Sequence, residues 1–506
     1  MYSNISIRRG VLRLTPLAVS TAALFASGHA SAQALPDGSG IGLEALKSQW
    51  RLGEAAHAVR APSSRHAPSQ IASTVSSCGD DPSDFGTLRH AVLTANTGGT
   101  VDLTGLACSK ITLTQGAIAV GLADLTIQGP GMNALTIDGN GTDRVFLHTG
   151  TGTLTLNDVT ITHGTMSADK AYGGCIYSVA NVSLTGTTVT GCNAMGQTIA
   201  AGGGIVTKGT LAMDMSVLSN NLADTAVGMT MQVGAAAGGA LAASSTNVSF
   251  ILDSVISGNV VHTTAGHAEG GGIVAGSMWL KYSTVTNNAA NGPGTATDYS
   301  AGGGLVSSSL LMKGSTVDNN IADAAGGAFL SQNGSGTASI ALSTISTNKA
   351  RLAVGGVWAH SPLTLTSTTF AFNLGGTLGG AGLTVDSSVP LTLQNTIVAD
   401  NSPSDIDGSS AITGDHNIVK ITGMNAPMLP VGTLGTDPQL APLARNGGTT
   451  RTHLLTLGSP AIEAGVSAAK FDQRGSFYPR KVGAKPDIGA VEFDPDHIFG
   501  DGFDAP

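Results

Sequence analysis

The chain has 506 residues, of which 70 are Gly, 4% are aromatic and 11% are charged, less than half the usual charged share of about 25%. That excludes a core built on aromatic rings and a surface tied by many ion pairs, so Ala, Val, Ile, Leu and Thr must fill a narrow interior in small repeated layers. A formal charge of −9 argues against nucleic acid or anionic lipid as a partner.

Taken in chain order, residues 1–32 read as an export signal. Arg8, Arg9 and Arg13 give a basic start, Leu14 to Phe25 an apolar stretch, and Ala30-Ser31-Ala32 a small-residue cleavage site. Residues 33–76, rich in Ala, Ser, Pro and Arg, read as a flexible linker. Past the leader, no charge-free apolar run approaches the roughly 20 residues of a membrane helix.

Residues 77–165 are expected to form a cap and the first coils. Phe85, Leu88, Ala91, Val92 and Ala95 fall at helical spacing behind Asp84, so the pattern predicts a short helix over Asp84 to Ala95 with Asp84 as its N-cap. A helix there would cover the open end of a stack of strands. Alternating runs follow, such as Leu125-Thr-Ile127 and Leu154-Thr-Leu156, and period-two alternation of this kind marks short strands with one face inward.

Residues 166–401 rewrite one phrase: a diglycine, an apolar run and an Asn near its end. Copies begin at Gly173, Gly202, Gly238, Gly270, Gly302, Gly326 and Gly355, with a worn copy around Gly380. Such a period marks a solenoid whose units bury their apolar faces on each other. Three short strands per unit predict an all-β fold, a right-handed parallel β-helix of about ten or eleven coils, close to 50 Å long at roughly 4.8 Å per stacked strand. The diglycines mark one bend. Asn193, Asn221, Asn259, Asn288, Asn320, Asn348, Asn373 and Asn401 mark another, where Asn tolerates left-handed backbone and stacked amides can bond from coil to coil.

Four cysteines in an exported chain imply two disulfides. Cys78 with Cys108 and Cys175 with Cys192 close the shortest loops of the three possible connectivities; metal binding is the rival, without a CxxC pair to support it. No cofactor and no metal are expected, and the protein is expected to be a monomer.

Gly238-Gly-Ala-Leu241, Gly326-Gly-Ala-Phe329 and Phe370-Ala-Phe-Asn373 match the GGA-x and FxxN elements of chlamydial polymorphic outer membrane proteins. The chain more closely resembles bacterial β-helix proteins of pectin-lyase-like fold with a CSLREA-type amino-terminal region and a choice-of-anchor Q carboxy-terminal region. The first is carried by Cys78-Gly-Asp-Asp, Gly86-Thr-Leu-Arg-His-Ala91 and Asp102-Leu-Thr-Gly-Leu-Ala-Cys108, although Gly-Thr-Leu-Arg-His-Ala departs from Ser-Leu-Arg-Glu-Ala. The second, over residues 402–493, is carried by Asp437-Pro-Gln-Leu440, Asn446-Gly-Gly-Thr449, Gly458-Ser-Pro-Ala-Ile462, Asp472-Gln-Arg-Gly475 and Asp487-Ile-Gly-Ala-Val-Glu492, with Asn395 to Asn401 leading in. The resemblance implies an exported or surface-displayed β-helix of a Gram-negative bacterium and supplies no catalytic residues. Within the acidic tail, 494–506, Ile498-Phe-Gly-Asp-Gly-Phe-Asp504 is similar to a terminal tag of exported gammaproteobacterial proteins, a sorting signal or a plain acidic end.

Parallel β-helices also host pectate lyases and polygalacturonases, which need cations or clustered carboxylates. Asp214, Asp253, Lys281 and Lys313 fall near one strand position of successive repeats, and a solvated mixed-charge face explains them as well as a site does. Asp405-Ile-Asp407-Gly408 opens like a calcium loop but lacks the completing Glu, so it reads as a turn. His453, Ser459 and Asp472 can be written as a triad without a nucleophile-elbow context. Arg474 is expected to pair with Asp487 or Glu492 to close the last coil, with uronate binding as the rival role. Lys281, Lys313 and Arg474 are therefore the ligand-binding candidates, and no catalytic residue is assigned. The favoured function is a non-catalytic surface for adhesion or carbohydrate contact, with a polysaccharide or cell-surface ligand as partner. The alternative is a polysaccharide lyase or glycoside hydrolase acting on uronic-acid polymers.

Overall fold

The structure is a computed structural model describing residues 72–225, 234–243, 246–294, 300–330, 336–376, 382–386, 389–408, 411–426 and 428–495. The leader, most of the linker, the worn diglycine near Gly380 and the tail from Ile498 lie outside the described residues. The described chain is a parallel β-helix. Its strands form three parallel sheets of 22, 12 and 10 strands. In a typical coil the chain crosses the first sheet as Ile176–Ser178 and Asn181–Thr185, bends into the second at Thr188–Thr190, and enters the third at Asn193–Ala201. Two coils fuse the first pair into single strands, Ile273–Lys281 and Leu305–Lys313.

Alternation places every second residue inside, and parallel register stacks like upon like. Ile127, Leu156, Leu184, Met213, Ile251, Leu280, Met312, Ile340, Leu365 and Leu393 make one such column through ten coils, all buried in one continuous core. Each layer is thin, so no single residue anchors the fold.

The bends follow equally local rules. Gly173, Gly202, Gly238, Gly270 and Gly302 hold φ between 57° and 68°, and a Cβ on Gly203 would stand 2.4 Å from the Gly239 carbonyl oxygen of the next coil. At the Asn bend, left-handed backbone belongs to the preceding residue: Asn220, Gly258, Asn287, Asn319, Thr347, Phe372 and Asp400 carry positive φ. That frees the next Asn to point inward. Asn221, Asn259, Asn288, Asn320, Asn348, Asn373 and Asn401 form a buried amide ladder in which each Oδ1 after the first accepts from the backbone N and Nδ2 of the Asn one coil before, at 2.8–3.1 Å. Asn193 is outside this ladder; Cys192 takes the place and donates its N–H to Asn221 Oδ1. Asp405 ends it, accepting both bonds from Asn401 on one oxygen and Ile421 N on the other. A second ladder, absent from the sequence reading, links Thr187, Ser216, Ser254, Ser283, Ser315 and Ser343 by backbone N–H donation to the next hydroxyl at 3.1–3.2 Å.

Both local disulfides are present, Cys78–Cys108 and Cys175–Cys192. The amino-terminal helix is shorter than expected, Leu88–Thr94, and is capped by Thr87, whose hydroxyl accepts from His90 N. Asp84 instead closes a turn on Gly86 N, and Phe85 stays 82% exposed. Buried Arg89 explains the segment: it pairs with Asp80 at 2.8 and 3.0 Å and donates to the Gly116 and Ala117 carbonyls, pinning the helix to the first coils. Ala72–Thr74, within the stretch read as linker, pairs with Gly99–Asp102 as a strand, and Val75 behind it is buried.

The carboxy-terminal residues 437–495 form no stacked strand. They run back over the outer face of the second sheet as a strap. Gly489 N and Asn395 O bond at the last coils, Gln473 meets Thr344 and Thr316, and Arg451 reaches Asp318 and Thr286. The covered strands Thr316–Asp318, Thr344–Ser346, Thr369–Ala371 and Ile397–Ala399 are therefore buried on both faces, whereas uncovered Val217–Ser219 is buried on one.

Candidate functional site

Outward positions of the first sheet carry mostly Thr, Ser and Ala, which makes two aromatic pairs stand out. Phe250 and Trp279 are opposite in register on adjacent coils, their rings edge-to-face at 5.2 Å. Inward neighbours Ile251, Met278 and Leu280 fill the core, so alternation obliges both rings to face outward. Two residues beyond Trp279 on the same side comes Lys281, paired in register with Lys313 of the next coil.

The column holding these lysines contains Asp214, Leu252, Lys281 and Lys313. Asp253 is displaced from it by one residue, at a bend with φ 45°. The mixed-charge row expected from the repeats is thus a pair of lysines with Asp214 two coils away. Lys281 is 2% exposed, with its ammonium 5.0 Å from the centre of the Tyr282 ring; the ring's negative face accommodates a cation that burial would otherwise disfavour.

Tyr282 leads to the third candidate. It shares a depression of about 260 Å³ with Gly447, Gly448, Thr449, Arg474 and Phe477 of the strap. Thr450 Oγ1 donates to the Gly314 carbonyl next to Lys313, which holds the strap against this edge. The structure brings Lys281, Lys313 and Arg474 into one neighbourhood around Tyr282. Arg474 itself pairs with Asp472 at 2.7 and 3.0 Å, donates to the Glu492 carbonyl oxygen and lies 4.1 Å over the Tyr478 ring. The expected partners Asp487 and Glu492 belong elsewhere: buried Arg480 takes the Glu492 carboxylate at 2.7 Å and the Asp487 and Gly489 carbonyls. The short spacing of Arg474 from Asp472 across one tight turn decides that choice.

The triad residues do not meet. His453 bonds Ser346 Oγ and the Ala441 carbonyl, Ser459 donates to the Pro438 carbonyl, and Asp472 is held by Arg474; burial pushes the His453 imidazole below its usual range. Among the described residues no group of three or more His, Cys, Asp or Glu is placed to hold a metal. Ile406–Gly408 is a strand of the first sheet rather than a loop.

Comparison with known proteins adds little beyond the register. No family model and no curated protein matches the chain. Its structure is similar to that of the pectate lyase Pel9A, at TM-score 0.42 and 14% identity over 84% of this chain and 97% of that one. It is also similar to the periplasmic alginate epimerase AlgG, at TM-score 0.32 and 11% identity over 67% of this chain and 83% of that one.

A second aromatic pair, Phe329 and Trp358, faces outward on later coils, beside His360 and Asp386. The sequence reading missed both pairs. The available signal was scarcity: three Trp in 506 residues, two of them at outward positions of alternating strands.

Proposed function

We propose that the protein is an exported β-helix that contacts polysaccharide without catalysis, through the outer face of its first sheet. The observation that carries this reading is the Phe250–Trp279 pair with partly exposed Lys313 on the next coil, two residues along the same face. Aromatic faces pack against the C–H faces of pyranose rings, and the partly exposed Lys313 beside the pair suits the carboxylate of a uronic acid. Two disulfides fit an oxidising compartment. Display at a Gram-negative surface and an adhesive role rest on the resemblance to CSLREA-type and choice-of-anchor Q proteins.

The test is incubation of the purified protein with a panel of uronic-acid polysaccharides, reading binding and unsaturated products together. Binding that Trp279→Ala weakens, without product, is expected. Formation of unsaturated product that Lys281→Ala or Lys313→Ala abolishes would replace this reading with a polysaccharide lyase.

A further inference from the structure

The cluster around Trp358 differs in chemistry from the lysine-flanked pair. Phe329 and Trp358 stand opposite in register with ring centres 5.9 Å apart and planes at 79°. His360, 5% exposed, lies 5.0 Å from each ring. One carboxylate serves both polar atoms of the group: Asp386 Oδ1 accepts from Trp358 Nε1 at 3.2 Å, and Oδ2 pairs with His360 Nδ1. The indole is thereby held by its own N–H and by the imidazole tilted at 36° beside it, while the Asp386 side chain stays one-third exposed. Next to Trp358 in register is Thr384, whose Oγ1 is buried without a hydrogen-bond partner. Asp407 follows Thr384 in the same column. Asp407 in this column and Asp386 beside it are acidic, unlike the lysines beside Trp279.

We infer that Phe329, Trp358, His360 and Asp386 form a second saccharide subsite that takes a neutral pyranose unit. This rests on the reading of the first sheet's face as polysaccharide-binding. A fixed indole offers a flat apolar surface to the sugar's C–H face at little conformational cost. The one-third-exposed Asp386 carboxylate then accepts from ring hydroxyls. Carboxylates at 386 and 407 repel a uronate, so the two aromatic pairs divide neutral from acidic units.

The probes are cellohexaose and hexagalacturonate, titrated calorimetrically into the wild type and into Trp358→Ala, Trp358→Phe, Asp386→Asn and Trp279→Ala. Trp358→Ala and Asp386→Asn are expected to weaken cellohexaose about tenfold, Trp358→Phe less, and all three to leave hexagalacturonate within about twofold. Asp386→Asn keeps the size of the side chain, so it carries the test if Trp358→Ala fails to fold. Unchanged cellohexaose affinity in both Trp358→Ala and Asp386→Asn, or equal loss for both oligomers, overturns the inference. Hexagalacturonate binding to a wild type that ignores cellohexaose also overturns it and leaves the proposed function standing. A wild type that binds neither oligomer, nor the parent polysaccharides, removes the proposed function and the subsite with it.

Discussion

Glu269 stands immediately before a diglycine, in a column where the neighbouring coils place Ala237 and Ala301. With apolar Val274 and Val306 packed around this column, burial pushes its carboxyl up to about 7 from an ordinary 4.5. The folded protein therefore holds a proton that the unfolded chain releases. Its contribution to stability is full below about pH 4.5 and is lost as pH rises to about 7. Glu269→Gln should remove that slope, raising the melting temperature by a few degrees at pH 8 and leaving it unchanged at pH 4; equal melting shifts at both values would show that burial does not set this group. Residue by residue, the Asn ladder was legible because a repeated amide in an apolar run has few other uses. Which residue takes the left-handed backbone was not: Thr347 and Phe372 do so against their own preference because the stacked neighbours dictate the bend.

Among elements, strands were legible and caps were not. Alternation is a property of four or five residues, whereas the helix start depends on what the first turn meets. Thr87 wins over Asp84 because Asp80 draws Arg89 inward and fixes where Leu88 begins the helix. The strap was opaque for a related reason. It makes no periodic pattern, and its bonds join residues more than 100 positions apart, such as Gln473 with Thr344. Its own integrity centres on Arg480 and Glu492, each about 1% exposed. Burial pushes the Glu492 carboxyl up to about 8, with Arg480 opposing that shift. Arg480→Met leaves a buried carboxyl and two carbonyls without their donor, so denaturant unfolding should show a loss of about 3–5 kcal/mol. Pairing Arg480→Met with Glu492→Leu should recover part of that loss. A single substitution that is as stable as the wild type would count against the pair as the strap's fastening.

For the whole molecule, the architecture followed from the repeat, while the placement of chemistry on it required the register. Lys281 and Lys313 could be aligned from sequence, yet Asp253 slipped one place because its coil carries a strand ending at Leu252. Stacked coils contact only their neighbours, so an unbraced β-helix would fray from its free end one coil at a time. The strap changes that. Fastened at Asn395 and again at Thr286, it returns across three intervening coils like a splint. The terminal coil then cannot peel away unless the strap releases the coils beneath it as well. Native-state hydrogen exchange should accordingly show the second-sheet strands from Thr284–Thr286 to Ile397–Ala399 opening as one block with a common free energy, and the strands before Val255–Ser257 opening in graded steps. A gradient running unbroken to the last coil would mean the splint carries no load.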